Sequence, residues 1–394
     1  MRFPWKKRRT PPPKPTPPPK GVSLSLPKVP FSLPKISLSL PKIFRPPPAK
    51  GRLSCGLDIG SSSVKAVVLR REGSRREVVG VAKVPLEPNL PRDKMVLALQ
   101  NACQNAGFVG RRINCAIGGQ SVIIRYIQLP KMSREELKSS IEFEADKYIP
   151  FNIKEVWLDC QILEERQDSK KIQALLVAAK KELVTSHLTL VQEAGLECVV
   201  LDVDTFAVVN AFEVASRHLP KKEGEVVALL DLGAESTTIN IVREGRSLFA
   251  RDIAIGGSKW TQTIAEKCDL PHSQAEALKL APGDRLKELR EILSPTFEGL
   301  LGELRLSFDY FESQYDKRVE RIFLSGGSSR WPLLPSLLAE QFQVESAVWG
   351  PFAGMALPES VSRKLKNGQE EFVVAFGLAL RFPNDHAQSP STRP

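Results

Sequence analysis

The 394-residue chain is 42% hydrophobic and 7% aromatic, with six cysteines, 31 prolines and a formal net charge of +11. That charge is local: residues 1–50 carry 12 Lys/Arg and no acid, leaving 44 basic against 45 acidic residues elsewhere, so a basic nucleic-acid-binding body is excluded. Cys55, Cys103, Cys115, Cys160, Cys198 and Cys268 form no C-x-x-C pair, His187, His218, His272 and His386 show no ligand spacing, and no run of about 18 apolar residues offers a membrane span.

Prolines follow Lys6, Lys7, Arg8 and Arg9 where a signal peptide needs an apolar segment, so the expected location is the cytoplasm. Fifteen prolines fall in residues 1–50, too many for a packed core. Residues 11–19 favour polyproline II. Ser-Leu-Pro-Lys then recurs at 25–28, 32–35 and 39–42, a seven-residue period whose prolines forbid a continuous helix. Either a basic arm for an anionic membrane surface or a solvated spacer fits this pattern.

From residue 51 onward, strand and helix signals alternate, as in an α/β protein. Apolar runs at 53–59, 64–69 and 77–82 predict a three-stranded meander, and a helix follows at 92–106. Strands are expected at 112–117 and 121–129. Ser133 with Glu136 three positions later has capping-box spacing and predicts a helix to about 147. Strands at 155–163 and 171–179, a helix at 181–194, a strand at 197–203 and a helix through Phe212 complete the first part.

The opening pattern then repeats. Residues 226–232 lead to Gly233, Ala234, Glu235 and Ser236, with further strands from Thr237 to Val242 and over 248–255. Asp231 falls on Asp58 and Gly233 on Gly60 at an offset of 173, and the Glu244-Gly245 turn matches Glu72-Gly73 to within one residue. Two similar halves are therefore expected, 51–213 and 214–382, with a disordered basic Pro-rich tail over 1–50 and a disordered C-terminus over 383–394.

The turn Asp58-Ile59-Gly60-Ser61-Ser62-Ser63 offers small residues, hydroxyls and backbone N–H groups to an anion, with Lys65 just beyond to offset phosphate charge. A carboxylate at each turn, Asp58 and Asp231, suits a hydrated Mg²⁺, which takes few carboxylates and keeps several waters. Either turn alone also reads as an ordinary tight hairpin; the matched pair points to a polyphosphate gripped between two halves. Gly326, Gly327, Ser328 and Ser329 end an apolar strand before a helix near Pro332, a turn that admits a nucleoside close to the backbone. Neither a Walker A sequence nor a G-x-G-x-x-G follows any strand.

These residues together resemble the actin-like ATPase superfamily and, within it, the type IV pilus assembly protein PilM family, related to the division protein FtsA. The cues are residues 55–65, the block Glu142-x-Glu144-Ala145-x-Lys147-Tyr148-Ile149-Pro150-Phe151, Asp231-Leu232-Gly233 and Ile255-Gly256-Gly257. The resemblance covers about 53–382 and implies duplicated actin-like (ribonuclease H-like) domains flanking an ATP and Mg²⁺ cleft, with a small subdomain inserted near 121–165. It implies that Asp58, Gly60, Ser61, Ser62, Ser63 and Lys65 bind phosphate and, through water, Mg²⁺. The opposite loop would be Asp231 with Gly233, Ala234, Glu235 and Ser236. Gly256, Gly257, Glu276 and Lys279 would lie near the nucleotide, and 326–329 would hold the adenosine.

Asp204 falls where active relatives carry a Glu or Gln that orients the attacking water. One methylene fewer than Glu leaves hydrolysis weak or absent, and a helix N-cap role is the alternative. The resemblance further implies a cytoplasmic protein that binds the tail of an inner-membrane PilN-like partner in a groove beside the insert. It leaves homo-oligomers open and implies no specific nucleic acid. An FtsA-like division filament protein and a sugar or acetate kinase are the other classes, the latter without a second-substrate signature here.

Overall fold

The structure, a computed structural model, describes residues 51–165, 170–219, 222–366 and 368–382. The basic repeat tail and residues 383–394 lie outside the described residues.

The first half opens with the expected meander, β1 (Arg52–Ile59), β2 (Ser63–Glu72) and β3 (Arg75–Pro85), whose strands pair antiparallel. Valine-rich, near-continuous apolar runs mark strands covered on both faces, and the middle of β2 is buried throughout. After α1 (Arg92–Asn105), β4 (Arg112–Ile117) returns parallel to β1. The chain then departs into an insert made of β5 (Val122–Pro130), α2 (Arg134–Ala145), β6 (Val156–Glu165) and β7 (Lys171–Lys180). It comes back through α3 (Lys181–Glu193), β8 (Glu197–Val203) and α4 (Asp204–Ala215). The strand order is β3-β2-β1-β4-β8.

The second half repeats this plan. β9 (Val226–Leu232), β10 (Thr237–Arg243) and β11 (Arg246–Ile253) form the second meander. Three helices follow, α5 (Gly257–Cys268), α6 (His272–Leu280) and the 30-residue α7 (Leu286–Tyr315). The sequence pattern had placed none of the three, and the resemblance had named Gly257 at the start of α5 and Glu276 and Lys279 in α6. β12 (Arg321–Ser325), α8 (Leu334–Phe342) and β13 (Glu345–Val348) complete a sheet of order β11-β10-β9-β12-β13, equivalent strand for strand to the first. This is the expected actin-like α/β architecture.

Two features depart from the expected boundaries. β7 is the central strand of the small sheet, order β5-β7-β6, so the insert extends to Lys180 rather than ending near 165. Its core is the apolar face of α2 on that sheet, through Leu137, Ile141, Ala174 and Leu176. The capping box forms as the spacing predicts, with Glu136 N–H donating to Ser133 Oγ at 3.2 Å and Ser133 N–H to Glu136 Oε2 at 2.7 Å.

The second departure is at the C-terminal end. After α9 (Glu359–Leu365), α10 (Val373–Ala379) packs into the first half instead of the second. A Cβ on Gly377 would stand 1.8 Å from the Ala207 carbonyl oxygen of α4, and one on Gly56 of β1 would stand 2.0 Å from that of Ala375. Glycine is required at both points because backbone touches backbone. Buried Asn114 donates to the carbonyls of Leu378 at 2.9 Å and Arg381 at 2.7 Å, satisfying acceptors at and just beyond the end of α10. α4 and α10, with one apolar cluster spanning both halves, thus join the two sheets.

Candidate functional site

The two Asp-x-Gly turns adopt the same local structure. Gly60 N–H donates to the Ser63 carbonyl at 3.2 Å, and Gly233 N–H to that of Ser236 at 2.9 Å. Each turn follows the central strand of its sheet, which puts Asp58 and Asp231 at equivalent strand ends. The N–H groups of Ser61, Ser62, Ala234 and Glu235 make no internal hydrogen bond among the described residues, leaving donors for an anion at both turns.

The second turn is walled in by the other loops that the sequence singled out. Gly257 N–H donates to the Gly233 carbonyl at 3.0 Å, and Ser258 N–H to that of Ala234 at 2.8 Å, which docks the start of α5 on the turn. A Cβ on Gly256 would meet the Ala234 carbonyl oxygen at 2.4 Å. From the other side Ser328 Oγ donates to the Gly233 carbonyl at 3.0 Å. Gly326, at φ +84°, would bring a Cβ to 2.4 Å from the Leu232 carbonyl oxygen. Gly233, Ala234, Ser236, Gly256, Gly257, Gly326 and Ser328 are therefore one assembly, and Gly327 and Ser329 continue it in a short 3₁₀ turn.

Lys279 supports this assembly from beneath. Its ammonium, 2% exposed, donates to the Gly257 carbonyl at 3.2 Å and Thr261 Oγ1 at 2.8 Å and pairs with Glu276 at 2.6 Å. Burial pulls its pKa down and Glu276 pulls it back up. Lys279 thus acts on the turn through Gly257, while the half-exposed Glu276 carboxylate is the member of the pair open to a ligand.

The halves meet electrostatically at Lys65. Its Nζ pairs with Asp58 Oδ2 at 3.0 Å. Burial would lower its pKa, but Asp58, Glu371 and Asp231 more than offset this and the ammonium stays charged. Asp231 accepts from Ser325 Oγ at 2.7 Å, yet burial first, and then the Asp58 charge, push its carboxyl up to about 6. Asp204 and Asp252 are also pushed up, each by burial first, and Asp204 further by Asp252, Asp231 and Asp58.

Asp204 is the first residue of α4. Its Oδ1 accepts from Thr205 N–H at 2.6 Å, and it lies so close to Gly118 that a Cβ there would overlap it at 1.8 Å. The N-cap position is Val203, one residue earlier, and no side-chain cap hydrogen bond forms there, so Asp204 is not the N-cap.

Asp252, Glu371 and Ser325 were not singled out as site residues in the sequence. Asp252 accepts from Thr238 Oγ1 at 2.8 Å and from Gly119 N–H at 2.9 Å, linking β11 to the start of the insert. Buried Glu371 bridges Lys83 of β3 and Arg330 beside the Gly326 loop, the latter at 3.2 Å, and so ties the two halves together. Ser325 had a signal, since it closes β12 immediately before Gly326. The other two lie on elements far apart in sequence.

The donor set suits Mg²⁺ with a polyphosphate. Among the described residues no three His, Cys, Asp or Glu side chains form a ready metal cage. Mg²⁺ needs no such cage, because it takes one or two carboxylates and fills the remaining positions with phosphate oxygens and water. Carboxyls pushed toward neutrality first by burial, and at Asp204 and Asp231 also by neighbouring negative charge, are what a cation would relieve.

A concavity lies between the insert and the rest of the first half. This groove of about 610 Å³ has an apolar floor from β7, α3 and α4, including Leu175, Val177, Leu188 and Phe206. Polar groups at its rim include Asp159, Gln161, Thr185 and the ion pair of Asp202 with Arg381 at 2.9 Å. Trp157, 59% exposed, stands at its mouth with Lys181 Nζ 5.1 Å from the ring centroid. No helix among the described residues is long and apolar enough to cross a membrane.

The family described as type IV pilus assembly protein PilM matches residues 56–382. The solved PilM–PilN type IV pilus biogenesis complex contains a chain 31% identical to this one, with a TM-score of 0.74, covering 83% of this chain and 98% of that one. The cell division protein FtsA of Bacillus subtilis (strain 168) is 25% identical over 257 residues, 58% of this chain and 57% of its own length. The present chain therefore spans little more than half of that curated relative.

Proposed function

The chain belongs to the type IV pilus assembly protein PilM family, and from that premise we propose that it is a cytoplasmic ATP-binding protein that holds the cytoplasmic tail of a PilN-like inner-membrane partner. The observation that carries the nucleotide half of this reading is the matched pair of turn hydrogen bonds, Gly60 to Ser63 and Gly233 to Ser236, with Asp58 and Asp231 both acting on Lys65. Free N–H groups at the two turns and the Lys65 ammonium would receive the phosphates. Asp58 and Asp231 would hold Mg²⁺ through water, and the bound ion would neutralise the carboxyl cluster. Gly326 and its neighbours would leave room for the adenosine.

Asp204 would orient water at the connecting helix. Its carboxyl, pushed toward the neutral form and pressed on Gly118, is a poor water-orienting base, which supports binding with weak or no hydrolysis. The groove beside the insert would take the partner's tail, and residues 1–50 would add a salt-sensitive contact with anionic lipid. The division-filament reading has less support, because FtsA matches a shorter stretch at lower identity.

Calorimetry of Mg-ATP on the wild type and on the Asp58→Ala, Asp231→Ala double variant tests the nucleotide site, and unchanged affinity overturns it. Co-purification with the candidate membrane partner, with and without ATP, tests the rest.

A further inference from the structure

Two sheet edges face the groove beside the insert. β6 is an outer strand of the small sheet and β8 an outer strand of the first large sheet. Five consecutive residues of β6, 157–161, and three of β8, 201–203, line the groove. Successive strand side chains point to opposite faces, so an unbroken run along a cavity means that the cavity meets the backbone edge, where N–H and C=O groups lack a neighbouring strand.

Both edges carry the same local device. Asp159 Oδ1 accepts from the N–H of Cys160 at 2.9 Å, and Asp202 Oδ1 from the N–H of Val203 at 2.9 Å. An N–H held by the preceding carboxylate is not bonded to the strand beside it. Cys160 stands opposite Leu176 of β7, so the two-residue alternation of an antiparallel ladder turns the amides of Leu158 and Cys160 outward. A carboxylate over such an edge blunts it against unwanted pairing.

The two caps differ in how readily they lift. Asp202 is buried, and its other oxygen is fixed by Arg381 Nε at 2.9 Å. Asp159 is exposed and pairs with no cation among the described residues. Moving Asp159 aside exchanges one exposed hydrogen bond for water, whereas moving Asp202 breaks an ion pair.

Resting on the reading of this groove as the site of the partner's tail, we infer that the tail binds by β-strand addition to the outer edge of β6, displacing the Asp159 carboxylate from the Cys160 N–H. The added strand's backbone pairs with Leu158 and Cys160, as in other edge-strand recognition. Its apolar side chains on one face reach Leu175, Val177 and Phe206. The freed Asp159 carboxylate faces a basic residue of the tail. The fitting occupant is thus an extended peptide with apolar residues at every second position and a lysine or arginine beside the residue that pairs with Cys160.

The test uses the full chain and a synthetic peptide of the PilN-like partner's cytoplasmic tail. On peptide binding, the amides of Leu158 and Cys160 gain hydrogen-exchange protection and that of Val203 does not change. N-methylation along the peptide weakens binding at least tenfold at every second position. Cys160→Pro, which removes the outward N–H and no bond to β7, weakens binding by a similar factor. Asp159→Ala keeps binding but loses its salt dependence. Protection at Val203 instead, insensitivity to N-methylation, or unchanged affinity in a folded Cys160→Pro variant overturns strand addition to β6 while leaving the groove intact as a site. The peptide N-methyl series decides the matter even where Cys160→Pro fails to fold. A wild-type chain that does not bind the peptide overturns the proposed partner site and this inference together.

Discussion

Lys65 and Thr238 occupy the same register position in the two halves, Lys65 opposite Asp58 and Thr238 opposite Asp231. On their other side Lys65 stands opposite Lys83 and Thr238 opposite Asp252. The first half thus presents acid, base, base across three strands, and the second presents acid, hydroxyl, acid. Lys65 reaches the acid beside it at 3.0 Å, whereas Thr238 turns away from Asp231 and donates to Asp252. One ammonium consequently serves both turns.

Replacing Lys65 by its counterpart, Lys65→Thr, removes that shared cation. The expected loss in Mg-ATP affinity is about 1–3 kcal/mol, the scale of a charged hydrogen bond left unmade. Titration calorimetry reads it directly, and affinity within twofold of wild type would contradict the role given to Lys65.

The Asp231 carboxyl ties binding to pH. Its ordinary value of 3.8 is raised to about 6 in the folded chain, so between these values the folded state holds a proton that the unfolded state has lost. Stability of the nucleotide-free protein therefore falls as pH rises from about 4 to about 6. Mg²⁺ favours the ionised carboxylate, so Mg-ATP affinity moves the other way, rising roughly tenfold per pH unit up to about 6 and then levelling. Asp231→Asn should flatten both profiles in thermal melts and binding assays. A wild-type affinity independent of pH over 5–7 would remove Asp231 from the metal side of the site.

Gly377→Ala tests the joint between the halves. The added methyl would press on the Ala207 carbonyl, and overpacking of this kind costs about 1–3 kcal/mol. Chemical denaturation should show a lower midpoint. An unchanged midpoint would mean that α10 can shift from α4 at little cost.

The basic tail contributes a test of its own. Deleting residues 1–50 leaves every proposed site residue in place, so Mg-ATP affinity should not change. Sedimentation with anionic vesicles should fall at low salt and show little difference between the two proteins at high salt, because this attraction is screened over about 8–10 Å at physiological ionic strength. Equal low-salt sedimentation of the two proteins would make the tail a spacer, and a nucleic-acid control separates lipid contact from general polyanion binding.

Turn chemistry and apolar periodicity are local properties, and what they specify was legible in the amino-acid order. The two Asp-x-Gly turns at an offset of 173, the Ser133 capping box and the alternation of strands and helices depend on residues a few positions apart, and the structure contains each of them. The segments that resemble the PilM family likewise identified the fold and the loops that the structure brings together around Gly233. Tertiary packing decided what depends on distant residues. Nothing local to 373–379 says that α10 crosses to the first sheet; the Ala207 and Gly56 backbones that receive Gly377 and Ala375 do. Lys171–Lys180 reads as a strand in isolation, but only its pairing on both sides makes it the centre of the insert. Asp252 joins the carboxyl cluster through Gly119, 133 residues away, and Asp159 comes to guard a sheet edge only because β6 folds beside the groove. Side-chain spacing along one element carries no record of such meetings, because the free energy that selects them comes from surfaces buried together after the chain has closed.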